Sequence, residues 1–466
     1  MGARRVPVGR SWMEVTMSHP RLRWTTARWL CAALLWLGWT SPGAPADEPI
    51  LPDTPLSVEA CVAIALERND LLAQAEAGVQ SSRGSYWQSY SNLLPNVSAS
   101  AGWGRSYPAR EIAVFDGDRL IGFQASPYDG SLSLRASQTL LSLPAIQGTR
   151  RARRSLHASE HDLVATREEI EVTARQQFFT LLAARKLAEV EVRAVELAGE
   201  QLRRAETLYR LGSVARSDVL QAQVNLAEAE QIALNRRNAV DLERGRLAMV
   251  MGLDPRTSVR IDTTLSVPAG PLAGPLDEWI TQAIGQRADL QAARLRVEAS
   301  QLAVSAAKLA RLPSVGLDYT WRRSSSSDDA WLSNPLVLQT NWSVGIGASI
   351  QLFDGLGMEG RVQSAKGDAR LRREQFERLE KEVALEVRDA YLSAANEWEN
   401  LQAAETSVAL NRENLRLQQA LYESGAGTLL EWDNARLDLR RAEVSLIQAE
   451  INLLLAHVRF RKAVGD

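Results

Sequence analysis

The residues that could do chemistry in this sequence are few and scattered. His157 and His161 stand four apart with Glu160 beside them, a spacing at which one helix face could hold a metal ion. No third histidine or cysteine lies near in sequence, so a solvated helix face is the expectation and no metal is assigned. Past the N-terminal segment the only methionines are Met249, Met251 and Met358, which form no ligand cluster. There is no Gly-rich phosphate loop, nucleophile elbow or H-E-x-x-H motif, and the acids are dispersed, so no general acid and base can be paired. Neither an enzyme nor a cofactor is expected. Two acids do occupy matched places: Asp218 and Glu431 each follow a glycine, Gly212 and Gly425, by six residues. An acid in the first turn of a helix is stabilised by the helix dipole by ~0.3–1 kcal/mol, so both can be read simply as helix-start residues.

The elements that hold these acids are written twice. Leu56-Ser57-Val58-Glu59-Ala60 through Arg68-Asn69-Asp70-Leu71 returns as Leu276-Asp277-Glu278-Trp279 through Arg287-Ala288-Asp289-Leu290. Leu94-Pro95-Asn96-Val97 returns as Leu312-Pro313-Ser314-Val315, 218 residues later, and Tyr209-Arg210-Leu211-Gly212 as Tyr422-Glu423-Ser424-Gly425, 213 residues later. Each copy reads as a helix, a strand, a polar loop, a second strand, a very long helix, a break at glycine and a final helix. Leu181, Ala188, Val195, Leu202 and Tyr209 recur every seven residues, as do Ala394, Leu401, Val408, Leu415 and Tyr422, which predicts coiled-coil packing. From about residue 146 to Leu211 such a helix spans roughly 100 Å at ~1.5 Å per residue. The expected division is residues 1–46, a first repeat over 47–252, a Pro/Gly-containing connector over 253–275 and a second repeat over 276–466.

The strands alternate with period two. Val97, Ala99, Ala101 and Trp103, Val315, Leu317, Tyr319 and Trp321, and Trp342, Val344, Ile346, Ala348 and Ile350 form apolar sets separated by Ser, Gly, Asp or Thr, while Leu132, Leu134 and Ala136 begin a weaker fourth run. Runs of about ten residues, apolar on one face and small and polar on the other, fit the wall of a transmembrane β-barrel. On this reading Trp103, Tyr319, Trp321 and Trp342 are membrane-interface aromatics. An ordinary half-buried hairpin packed on helices fits the strands alone equally well. Four strands cannot close a lumen, and an open edge is not tolerated in lipid, so a barrel needs further copies of the chain. Tyr107–Asp129 and Arg322–Asn341 read as exposed loops.

The N-terminus carries Arg21, Arg23 and Arg28 before an apolar stretch from Trp29 to Trp39, with Ala44-Pro45-Ala46 as a small-residue cleavage site, and is read as an export signal rather than a retained anchor. The formal charge of -2 becomes more acidic without that segment, and arginines alternate with glutamates at helical spacing, which argues against nucleic-acid binding. Cys61 alone remains of two cysteines, so packing and not a disulfide holds the exported chain together.

Taken together, in order and twice over, these segments resemble the TolC-like outer-membrane efflux proteins across nearly all of the chain after the signal. The resembling motifs are Asn69-Asp70-Leu71 and Ala288-Asp289-Leu290, the Leu-Pro-x-Val strand starts, Gln351-Leu352-Phe353-Asp354-Gly355, and the tips from Leu211 to Leu220 and Ser424 to Trp432. The resemblance implies a mainly α fold with transmembrane β: a duplicated long-helix α-barrel, plus four strands per chain in a trimeric, twelve-stranded β-barrel in the outer membrane. It implies a passive efflux or type I secretion duct with its helical part in the periplasm, working with a periplasmic adaptor and an inner-membrane transporter. Glu431 then matches an acid of the entrance constriction and Tyr422 a tyrosine that holds the closed tip, with Asp218 at the equivalent place. Asn434 stands where a further acid is often found, and Gly427 removes a basic side chain, so the closed-state network is expected to be thin. Leu211, Gly212, Ser213, Gly425, Gly427 and Thr428 are the candidate adaptor contacts. An exported coiled-coil scaffold or adhesin without a pore is the second reading; the duplicated strands and paired glycine tips favour the duct. The cargo is left open.

Overall fold

The computed structural model describes residues 55–105, 107, 111–116, 119–124, 128–212, 214–264, 270–325, 338–424 and 426–465. The export signal lies outside these residues. The chain opens with α1 (Val58–Arg68) and α2 (Asp70–Ser91), separated at Asn69, whose side chain accepts from the Leu71 amide at 2.8 Å to start α2. After β1 (Asn96–Arg105), β2 (Glu111–Asp116), β3 (Arg119–Gln124) and β4 (Tyr128–Leu141) comes α3 (Leu143–Arg210), 68 residues long, and then α4 (Arg216–Val250). The second repeat follows with α5 (Leu276–Gln286), α6 (Ala288–Leu309), β5 (Ser314–Ser325), β6 (Leu338–Ser349), the 67-residue α7 (Gly357–Glu423) and α8 (Leu429–Val464).

The main sheet is antiparallel in the order β1-β4-β5-β6, so the two repeats meet at the β4–β5 pairing. Its register stacks like with like. Ala99, Leu134, Trp321 and Trp342 form one row across the four strands, and Val97, Ala136, Tyr319 and Val344 the next. The opposite face carries Ser100, Ser133, Arg322 and Asn341, with Ser98, Arg135, Thr320 and Ser343 beside them. Successive side chains alternate across a pleated strand, so the period-two pattern becomes one mainly apolar face, interrupted by Arg323 and Gln138, and one mainly polar face. Among the described residues the outer edges of β1 and β6 are unpaired.

One expectation is corrected. Part of the segment expected to be a loop between Tyr107 and Asp129 is a second, two-stranded antiparallel sheet, β2 with β3, whose register pairs Asp116 with Arg119. Gly117-Asp118 between alternating apolar residues is the hairpin signal that accounts for it.

The helices bury two kinds of core. Where α5, α6, α7 and α8 meet, Ala283, Leu290, Val387, Phe460 and Val464 pack with Trp279, whose ring lies 5.3 Å edge-on from that of Phe460. Along the α7–α8 hairpin the core narrows to the alanine-rich seam of Leu401, Ala404, Ala449 and Leu453. Cys61 is fully buried beside α3, and burial pushes its thiol up to about 12, so it is a small apolar core residue. The connector packs on the helices through Val259 and Ile261, and Ile261 bridges to Leu56.

Candidate functional site

Both hairpin tips are built by the same local logic. In the first, α3 ends with the Leu211 amide donating to the Thr207 carbonyl at 3.1 Å, and Gly212 takes the left-handed backbone (φ 77°) that reverses the chain. Asp218 sits in the first turn of α4 and its carboxylate accepts from the Ala215 amide at 3.3 Å. Because Ala215 has no side-chain acceptor to return the bond, this cap is one-sided.

The second tip is more fully bonded. Ala426 and Gly427 both donate their amides to the Leu421 carbonyl, at 2.9 and 3.0 Å. The Thr428 hydroxyl accepts from the Glu431 amide at 3.3 Å, while one Glu431 oxygen, Oε2, accepts from the Thr428 amide at 3.0 Å and from its hydroxyl at 2.8 Å. This is a reciprocal capping box, and its backbone and hydroxyl donors hold the Glu431 carboxyl below the usual glutamate range. Thr428-Leu429-Leu430-Glu431 spells that box directly. Glu431 and Asn434 are exposed. Tyr422 lies in the last turn of α7, its side chain outside the described set; Ser213 and Gly425 also lie outside it.

The sequence reading missed Asp433. Its carboxylate lies 3.4 Å from Gln201 Nε2 of α3 and 3.5 Å from Arg436, and burial raises it above the usual aspartate range although Arg436 opposes this. Only the packing of α8 against α3 creates that environment, so spacing could not reveal it. His157 Nδ1 bonds Glu160 Oε2 at 2.9 Å on a half-exposed face. Among the described residues no group of three or more histidine, cysteine or acidic side chains is placed to hold a metal.

In the sheet, Trp103 and Trp342 are exposed on its apolar face, and Tyr319 and Trp321 lie between them on the same face. No described helix is long and apolar enough to cross a membrane. The arrangement defines a class of protein that places a sheet wall at one end and long helical hairpins at the other.

The sequence pattern of the outer membrane efflux protein family matches residues 62–253 and again 279–466. The chain is 25% identical over 331 residues to the outer membrane efflux protein BepC of Brucella suis, covering 67% of this chain and 68% of that one. It is 22% identical over 379 residues to the outer membrane protein TolC of Vibrio cholerae, covering 81% and 83%. The outer-membrane channel OprN superposes with a TM-score of 0.74 at 20% identity, over 88% of this chain and 89% of that one, a likeness of fold. The chain belongs to the outer membrane efflux protein family. It is a channel-forming outer-membrane protein and not an enzyme.

Proposed function

We propose that three copies of this chain form a passive exit duct, each donating β1, β4, β5 and β6 to one twelve-stranded barrel while the helices continue it as a periplasmic tunnel. The observation that carries this reading is the sheet register, which makes one face mainly apolar while leaving both sheet edges unpaired among the described residues. A sheet in lipid needs its edges closed, and only more strands can close them.

On this reading residues 1–46 are removed on export, and 47–252 and 276–466 are the two repeats. The tips face a periplasmic adaptor through Leu211, Gly212, Ser213, Gly425, Gly427 and Thr428, and an inner-membrane transporter supplies the cargo. Glu431, with Tyr422, Asp218 and Asn434, lines the constriction. Three Glu431 carboxylates around an axis would favour cations and repel anions, and one carboxylate oxygen of each is free of the capping box. Trp103, Tyr319, Trp321 and Trp342 sit at the membrane interface.

The test is fractionation followed by conductance. The protein should require detergent for release, run with the mass of three chains and conduct ions in a planar bilayer. Glu431→Gln and Tyr422→Phe should change conductance and cation blockade. Release without detergent, or a detergent-extracted monomer, would overturn the duct; unchanged blockade in both variants would overturn the constriction.

A further inference from the structure

Within one chain, α3 of the first repeat packs along α8 of the second, and polar pairs mark that seam. They are Glu169 with Lys462, Lys186 with Glu450 at 3.1 Å, Glu191 with Arg440, and Gln201 with Asp433. Since the tips repeat after 213 residues, α7 is the counterpart of α3, and α4 that of α8. The counterpart seam, α7 with α4, is not among the main helix pairings of the described residues: α4 packs chiefly on α3, and α7 on α5, α6 and α8.

The two unmet faces show what should cover them. Val172 of α3 is 8% exposed, beside Leu454 and Val458 of α8. Its counterpart on α7, Leu385, is 67% exposed. The counterparts of Lys186 and Glu450 are Glu399 and Arg237, again opposite charges but with the order reversed. Both are exposed and neither has an ion partner in the described chain. The counterparts of Glu191 and Arg440 are Ala404 and Ala227.

We propose that α7 of one copy packs along α4 of the next, with Glu399 facing Arg237, and that the reversed charge order forces the two repeats to alternate around the ring. The inference rests on the ring reading above and names how its copies recognise each other. If first repeats met first repeats, Lys186 would face Arg237. If second repeats met second repeats, Glu399 would face Glu450. Either mistake also leaves Glu191, 4% exposed, or its partner Arg440 opposite an alanine, a buried charge without compensation.

The test uses the full-length protein in outer membranes with Cys61→Ala. Arg237→Cys with Glu399→Cys, treated with a short thiol-directed crosslinker, should give dimer and trimer bands on a denaturing gel. Glu399→Cys with Glu450→Cys should give none above the monomer. Chains that assemble and conduct yet fail to link through 237 and 399, or link through 399 and 450, overturn this seam while leaving the duct standing. A second measurement is the dissociation temperature of the assembly. Arg237→Glu and Glu399→Arg should each lower it and their combination should recover most of the loss; purely additive losses overturn the pairing.

Discussion

Asp218 and Glu431 occupy equivalent positions but do different work in the isolated chain. Glu431 completes a two-way bond with Thr428, whereas Asp218 caps from one side only. Thr428→Ala should therefore cost about 1 kcal/mol at the start of α8, read as faster hydrogen exchange of the 428 and 431 amides. The pH sign follows from the depressed folded value of Glu431. Its contribution is complete above the ordinary glutamate range and is lost as pH falls through the lowered value. Tip protection in the wild type should fall across that acid window, while Glu431→Gln should show a weaker and flatter profile. The matched acids were legible from their spacing past two glycines. The reciprocal bond of Glu431 with Thr428 was not part of that reading, and the environment of Asp433 could not be, because Gln201 reaches it from a helix more than two hundred residues away.

Among the elements, the two repeats share a latch that the strand and heptad patterns do not announce. Asn69 donates to the Val250 carbonyl at 2.7 Å, and Arg287, one position from the start of α6, donates to the Ala463 carbonyl at 3.3 Å. Each ties the start of a short helix to the end of the last helix of its own repeat. Arg287 also bonds Asp289 at 2.8 Å and Glu386 at 2.6 Å. Burial would raise the Asp289 carboxyl, but hydrogen bonds and the Arg287 charge hold it below the usual range. That contribution is full above the ordinary aspartate range and is lost as pH falls through the depressed value. Arg287→Met should destabilise by about 1 kcal/mol, since the two acids left without their cation are partly exposed and screened by water, and Asp289→Asn should flatten the acid limb of the melting profile. The glycines that end these helices differ in the same way. A side chain at Gly252 (φ 69°) would lie 2.2 Å from the Arg68 carbonyl, whereas Gly212 (φ 77°) faces open space. Gly212→Ala should cost about 1 kcal/mol of backbone strain alone, and Gly252→Ala clearly more, seen as a larger drop in melting temperature. Helix lengths and order were readable from periodicity; these latches depend on residues brought together only when each repeat closes on itself.

For the whole molecule, the sheet register makes the two faces separately testable. Ile346 lies on the apolar face and Ser343 on the polar one. Ile346→Arg should cost about 2–4 kcal/mol in lipid and remove the assembled species from outer-membrane fractions, while Ser343→Arg should assemble and shift ion selectivity. The alternation was plain in the sequence. Which strands would be neighbours was not, since β4 pairs with β5 across the repeat boundary and only the folded helices bring them together. The unpaired edges of β1 and β6 carry a consequence for biogenesis. A lone chain has no edge-free state in the bilayer, so insertion and association must be one event. The yield of membrane-embedded protein should then climb far more steeply than the amount synthesised, and chains made too sparsely should be degraded before they meet.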